Sequence, residues 1–273
     1  MPNESKLNKE FLLQNEEIER QKKEIVQSIE YASLIQAALL PPSNLVKKVF
    51  KNHFIIYIPR DIVSGDFYWI STKEEWIYFA AADCTGHGVP GALMSILGIS
   101  FLNEILSQKA PLMANRVLNL LREKIMKSLH QTGEISVSKD GMDISLCVFN
   151  PETLELHFAG ANNPLYYFRD NKLNIIKGDR MPIGISGKEE QSFTDHLIKL
   201  RKGDMLYLFS DGYADQFGGS DWKKLKYSRF REILEKNHKK SIIEQNESLL
   251  NTFFDWKGEH DQIDDILLMG IKI

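Results

Sequence analysis

The chain has 273 residues, 43% hydrophobic and 26% charged, enough apolar material to close a full core and too little charge bias for a disordered polymer. Its 34 basic and 37 acidic side chains give a net charge of −3, which offers no electrostatic basis for a nucleic-acid or anionic-membrane partner. Cys84 and Cys147 stand far apart and in no CxxC spacing, so neither a disulfide framework nor a thiolate zinc site is expected.

Residues 4–40 contain no Gly or Pro and are dense in Glu, Lys and Gln, which predicts one long helix ended by Pro41-Pro42. Phe11, Ile18, Ile25, Ala32 and Leu39 form a heptad row, offset from a mostly polar row of Leu7, Gln14, Gln21, Ser28 and Ile35. The pattern predicts the seam of a weak parallel coiled-coil dimer, its polar positions constraining register at a cost in stability. A solvated helix lying on its own domain is the alternative. The expected division is therefore 1–42, a helical linker for dimerisation and regulation, and 43–273, one globular domain. The first thirty residues are too charged for a signal peptide, and no apolar run approaches the ~18 residues of a membrane span. A cytoplasmic protein is expected.

Beyond residue 43, aromatic and β-branched runs predict strands at His53–Ile58, Phe67–Ser71 and Trp76–Ala82. Helices follow at about 90–108, opening at Pro90, and 111–130. Strands are expected again at Met142–Phe149, Leu154–Ala159, Leu165–Arg169, Phe193–Leu200 and Met205–Phe209. Helices at 226–237 and 240–255 precede a closing strand, Ile266–Ile273. Strands in blocks with helices paired between them predict a layered α/β sandwich of mainly antiparallel sheet, not a doubly wound fold.

Acidic residues fall at strand ends. Asp66 opens one strand after Ser64-Gly65, Asp83 closes the next, Asp211 closes Met205–Phe209, and Asp264-Asp265 precede the last. Turn chemistry explains any one of these; four apolar runs each meeting an aspartate beside small residues suggest a shared site. Two carboxylates ~4 Å apart repel by roughly 4 kcal/mol at an effective dielectric near 20. A cluster of four needs cations or raised pKa values. Oxygen ligands without His or Cys select Mg²⁺ or Mn²⁺ over Zn²⁺, and a pair of such ions suits phosphoester hydrolysis.

The segment Asp83-Cys84-Thr85-Gly86-His87-Gly88-Val89-Pro90-Gly91 carries a strand through a glycine-rich loop into a helix. Such a loop can offer backbone N–H groups at Gly86 and Gly88, with a helix N-terminus, to a phosphate. His87 is a candidate general acid, with a turn histidine as the plainer explanation. Cys84 reads as a small buried residue rather than a nucleophile.

Taken in order, Ile35-Gln36-Ala37-Ala38-Leu39-Leu40-Pro41, Val63-Ser64-Gly65-Asp66-Phe67-Tyr68, Asp83-Cys84-Thr85-Gly86-His87-Gly88, Phe209-Ser210-Asp211-Gly212 and Asp264-Asp265-Ile266 resemble the SpoIIE/RsbU-type bacterial branch of the PP2C (PPM) metal-dependent serine/threonine protein phosphatases. The resemblance covers about residues 31–273. It implies an α/β/β/α sandwich binding two Mn²⁺ or Mg²⁺ ions, with Asp83 and the backbone carbonyl of Cys84, Asp66, Asp211 and Asp264 as ligands and Asp265 as a second choice. A water bridging the two ions would attack phosphoserine or phosphothreonine on a partner such as an anti-sigma-factor antagonist, under control of a sensor or activator through the N-terminal helix. Ser64, Trp69 and Ala161 depart from patterns common in relatives, and the phosphate-binding arginine of the eukaryotic branch has no clear counterpart, the nearby Arg60 reading as a surface or structural residue. These departures keep open a catalytically silent docking module, and a small-molecule phosphoesterase is a further alternative.

Overall fold

The computed structural model describes residues 2–107, 110–131 and 139–273, with side chains from Phe11 onward. One five-stranded sheet contains, in spatial order, β2 (Phe67–Lys73), β3 (Trp76–Cys84), β4 (Met142–Asn150), β5 (Glu155–Ala161) and β8 (His196–Lys199). The other contains β1 (His53–Ile58), β12 (Ile266–Lys272), β9 (Met205–Phe209), β6 (Leu165–Arg169) and β7 (Lys172–Ile176). All their ladders are antiparallel. A short hairpin, β10 (Phe217–Gly218) with β11 (Lys223–Lys224), stands apart.

Period-two alternation assigns the layers. On β3, Ile77, Phe79 and Ala81 face the second sheet and meet Leu206, Leu208, Leu267 and Met269. Tyr78, Ala80 and Ala82 face outward, under α3 (Gly88–Leu106) and α4 (Ala114–Ser128), where Ile99, Leu102, Leu118 and Leu121 pack. β9 is buried on both faces: Met205, Tyr207 and Phe209 lie under α6 (Lys226–Asn237) and α7 (Ile242–Lys257), against Phe230, Leu234, Leu249 and Phe253. Each large side chain so buried contributes about 1.5–3 kcal/mol. The result is the expected α/β/β/α sandwich, completed by α2 (Ser43–Val49) and the single turn α5 (Gly212–Asp215).

Some elements differ from expectation. α3 begins at Gly88, placing Pro90 within its first turn. At 19 residues it is long and apolar enough to cross a membrane, contrary to the estimate from apolar runs. Its Ile99, Leu102 and Ile105 are fully buried in the domain, as in a core helix. β7 was not anticipated; it is turned back onto β6 by Asp170 and Asn171, both at positive φ (50° and 61°), which matches the right-handed twist of a tight hairpin. Phe193 does not join β8 but is held in a loop beneath the Arg122 guanidinium, 4.8 Å from its ring.

The predicted N-terminal helix is α1 (Pro2–Leu39), about 57 Å long at 1.5 Å per residue. Phe11, Ile18 and Ile25 are 60%, 58% and 60% exposed. Ala32 is half-buried, however, and the half-buried Leu39 packs against the core cluster that includes α3 and α4, so these two seam positions are taken up by the chain's own domain. Every residue from Phe11 to Ile25 is exposed, so this half of α1 stands clear of the domain and only its C-terminal turns, around Ala32, Gln36 and Leu39, lie on it. The Leu7 side chain lies outside the described residues.

Candidate active site

Antiparallel register gathers the acidic strand ends. Phe67 pairs with Ala82 and Asp83 with Asp143, so the start of β2, the end of β3 and the start of β4 share one edge. In the other sheet β9 ends where β12 begins: Leu268 lies opposite Phe209, and the Ser210 N–H donates to the Leu267 carbonyl at 2.9 Å. By parity Asp83 continues the row of Ile77, Phe79 and Ala81, while Asp143 continues that of Cys147 and Phe149. Both carboxylates therefore stand at the mouth of the seam between the sheets.

Their fields overlap strongly. Asp66 is 2% exposed, and its Oδ2 has no hydrogen-bond partner. Burial first, then the Asp83 carboxylate, raises its pKa well above the ordinary range; Asp265 and Asp264 add to the shift, against a hydrogen bond from Ser210. Burial, Asp211, Asp264 and Asp143 push Asp83 up to about 8. Burial, Asp264 and Asp215 push Asp211 up to about 6. Asp264 and Asp143 are raised mainly by burial. For Asp264, His87 and Arg60 pull the other way.

Small residues and backbone donors hold these groups close. Asp265 accepts from the Arg60 N–H through Oδ1 and the Gly65 N–H through Oδ2, each at 2.7 Å. It ties β12 to the Asp66 loop, so both oxygens of this second-choice ligand are engaged by backbone. Asp264 Oδ1 accepts from the Asp265 N–H at 2.9 Å. A Cβ on Gly212 would collide with the Asp265 carbonyl; glycine there lets the turn after Asp211 sit on the Asp264-Asp265 segment. A Cβ on Gly65 would lie 2.6 Å from the Gly86 carbonyl.

The glycine loop is as expected in outline. Gly86 and Gly88 adopt positive φ, 84° and 64°. His87 is the N-cap of α3 but makes no side-chain cap bond, so it leaves first-turn N–H groups available. Its Nδ1 lies 3.1 Å from Asp61 Oδ2, an exposed pair at the rim. The Cys84 thiol is buried and its pKa is driven up by burial, as for an inert structural cysteine.

Asp66, Asp83, Asp211, Asp264 and Asp265 thus share one edge. Asp143 and Asp61 escaped the sequence reading. Asp143 could have been found by the rule that singled out Asp264, since it stands at the start of an apolar strand after Gly141. Nothing in sequence spacing links Asp61 to His87. Trp69, 2% exposed, donates from Nε1 to Asn103 Oδ1 at 2.8 Å and anchors α3. Ala161 ends β5, and its neighbour Asn162 donates to Asp143 Oδ1 at 2.8 Å. These departures leave the acidic set intact.

The donor set fits hard divalent cations. A buried carboxylate oxygen without a partner, surrounded by further carboxylates, is balanced by a metal or a proton. The oxygens of Asp66, Asp83, Asp211, Asp264 and the Cys84 carbonyl are of the type Mg²⁺ and Mn²⁺ take. Among the described residues, no three or more His, Cys, Asp or Glu side chains stand close enough together to hold a metal ion as they are; the carboxylates share a field without forming a ready ligand cage.

Fold and acidic edge together define a PP2C-type domain. The SiaA PP2C domain of Pseudomonas aeruginosa superposes with a TM-score of 0.82 at 30% identity, covering 92% of this chain and 98% of that one. The manganese-bound catalytic domain of the serine/threonine phosphatase PstP, at 16% identity, shares the fold, with a TM-score of 0.55 over 81% of this chain and 97% of that one. Phosphoserine phosphatase RsbU of Bacillus subtilis is 27% identical over 198 residues, 70% of this chain and 55% of RsbU. This chain therefore spans about half the length of that relative. The profile of Stage II sporulation protein E (SpoIIE) matches residues 73–273. The chain belongs to the SpoIIE family, the SpoIIE/RsbU-type branch of the PP2C phosphatases.

Proposed function

We propose that this chain is a divalent-metal-dependent phosphatase acting on phosphoserine or phosphothreonine of a partner signalling protein, such as an anti-sigma-factor antagonist. In this reading residues 43–273 form the phosphatase domain of a cytoplasmic homodimer, and residues 1–42 dimerise and transmit the signal of a sensor or activator. Asp66 carries the assignment: a fully buried carboxylate with an unpartnered oxygen, set among Asp83, Asp264 and Asp265. The description of RsbU as a phosphoserine phosphatase and the 2 manganese ions of PstP support it.

Two Mn²⁺ or Mg²⁺ ions held by Asp66, Asp83, the Cys84 carbonyl, Asp211 and Asp264 would supply Lewis acidity to the phosphoryl group and a nucleophilic water at neutral pH. The chain's own groups bind and orient the substrate. The uncapped N–H groups at the start of α3, with the Gly86 and Gly88 backbone, receive phosphoryl oxygens at the positive end of a 19-residue helix. His87, oriented by Asp61, gives a proton to the departing serine or threonine oxygen. Asp265 holds the Arg60 and Gly65 backbones so that Asp66 keeps its aim. The exposed row Phe11, Ile18 and Ile25 supports pairing of α1 with a second copy.

Phosphate release from a phosphoserine protein with Mn²⁺ tests this. Asp83→Asn and Asp211→Asn are each expected to lose turnover by about a hundredfold or more with an unchanged circular-dichroism spectrum. Normal turnover in both variants rejects the assignment. A preference for nucleotides over phosphoproteins would point instead to a small-molecule phosphoesterase.

A further inference from the structure

Gln36 is the most deeply buried described side chain of α1, 4% exposed. An amide at a helix–domain contact gains less from burial than a leucine would, unless its polar atoms are all engaged. Here they are. Nε2 donates to the Ser64 carbonyl at 2.6 Å and to Ser95 Oγ of α3 at 2.7 Å, and Oε1 accepts from the Ser64 N–H at 3.0 Å. The amide thus pairs with both backbone groups of Ser64, as a neighbouring strand would. Ser95 Oγ donates in turn to the Ala92 carbonyl at 2.8 Å, fixing the Gln36 contact to the first turns of α3.

Ser64 leads directly to the acidic edge. Its Oγ accepts from the Asp66 N–H at 3.0 Å, while the intervening Gly65 N–H donates to Asp265. The three residues Ser64-Gly65-Asp66 are therefore held from one side by α1 and from the other by β12. Asp66 Oδ2, at the end of this segment, is the unpartnered acceptor.

We propose that Gln36 is a positioning residue whose amide clamp on Ser64 aims the Asp66 carboxylate, so that the seating of α1 sets the affinity of the site for divalent metal. The proposal rests on the metal-site reading above and names the contact through which the N-terminal helix acts on it. Bonds of 2.6–3.0 Å are lost when α1 shifts by about 1 Å, beyond the reach of a hydrogen bond. The last exposed seam residue, Ile25, lies three turns before Gln36, about 16 Å along the same rigid helix. A rotation or slip imposed at the seam reaches Ser64 undiminished.

Calorimetric titration of Mn²⁺ into the full chain, its Gln36→Leu, Leu39→Ala and Asp83→Asn variants, tests the clamp. Gln36→Leu is expected to weaken Mn²⁺ binding about tenfold, the effect of losing a group that orients a ligand, with kcat restored at saturating Mn²⁺. In the metal-free variant the Gly65 and Asp66 amides should exchange hydrogen faster. Leu39→Ala loosens the seat of the same helix through packing but keeps the amide, and is expected to weaken Mn²⁺ binding by less than Gln36→Leu does. Gln36→Asn, which keeps the amide but shortens its reach, is the second variant and should weaken binding as Gln36→Leu does. Wild-type affinity in both Gln36 variants, or an equal loss in Leu39→Ala, overturns the clamp. Wild-type affinity in Asp83→Asn would instead overturn the metal site on which it rests.

Discussion

Raising the pH of the metal-free protein should destabilise it, because the acidic edge holds protons more tightly when folded than when unfolded. Asp83 lies at about 8 and Asp211 at about 6, against 3.8 for an ordinary aspartate. Between these limits the folded state binds more protons than the unfolded chain, so stability falls as pH rises. It is flat below the ordinary carboxylate range and flat again once the folded groups have ionised. At about 1.36 kcal/mol per pH unit, Asp83 alone accounts for an upper limit of roughly 4 kcal/mol between pH 5 and 8. Urea unfolding of chelator-treated protein, followed by tryptophan fluorescence at several pH values, measures this slope. Saturating Mn²⁺ should flatten it, since bound cations replace the protons. A metal-free stability that stays level or rises over this window would refute the convergence of charge, as would an undiminished slope in the Asp83→Asn, Asp211→Asn double variant.

Asp265→Asn replaces one carboxylate oxygen with a donor facing a backbone N–H, either Arg60 or Gly65. The buried mismatch should cost about 1–3 kcal/mol in denaturant unfolding and lower Mn²⁺ affinity, even though Asp265 need not touch the metal. Gly212→Ala drives a methyl into the Asp265 carbonyl and should destabilise the fold by about 2 kcal/mol or more, with loss of phosphatase activity; a thermal melt identical to the wild type would contradict the packing described. Ile18→Glu and Ile25→Glu alter side chains already 58% and 60% exposed, so single-chain stability should not change while dimerisation in sedimentation equilibrium falls. A monomeric wild type removes the seam.

Much of the local geometry can be read from the order of the amino acids. Pro41-Pro42 end α1, and the bounds of β1, β6 and β9 follow from runs of aromatic and β-branched residues, because these depend on contacts between near neighbours. The acidic strand ends were also legible, since an aspartate interrupting an apolar strand conflicts with local preference. Which of those ends meet depends on strand register and sheet packing. Asp143 joins the edge through the β3–β4 register, and Asp61 reaches His87 across 26 residues. Leu39 packs against the core and Phe11 faces solvent although both occupy one heptad row, because α1 meets the domain only in its C-terminal turns and projects beyond it before Val26. Gln36 reads as one more polar residue of a solvated helix until Ser64 and Ser95 are folded against it. Burial of a polar group is settled by its distant partners, which periodicity does not encode.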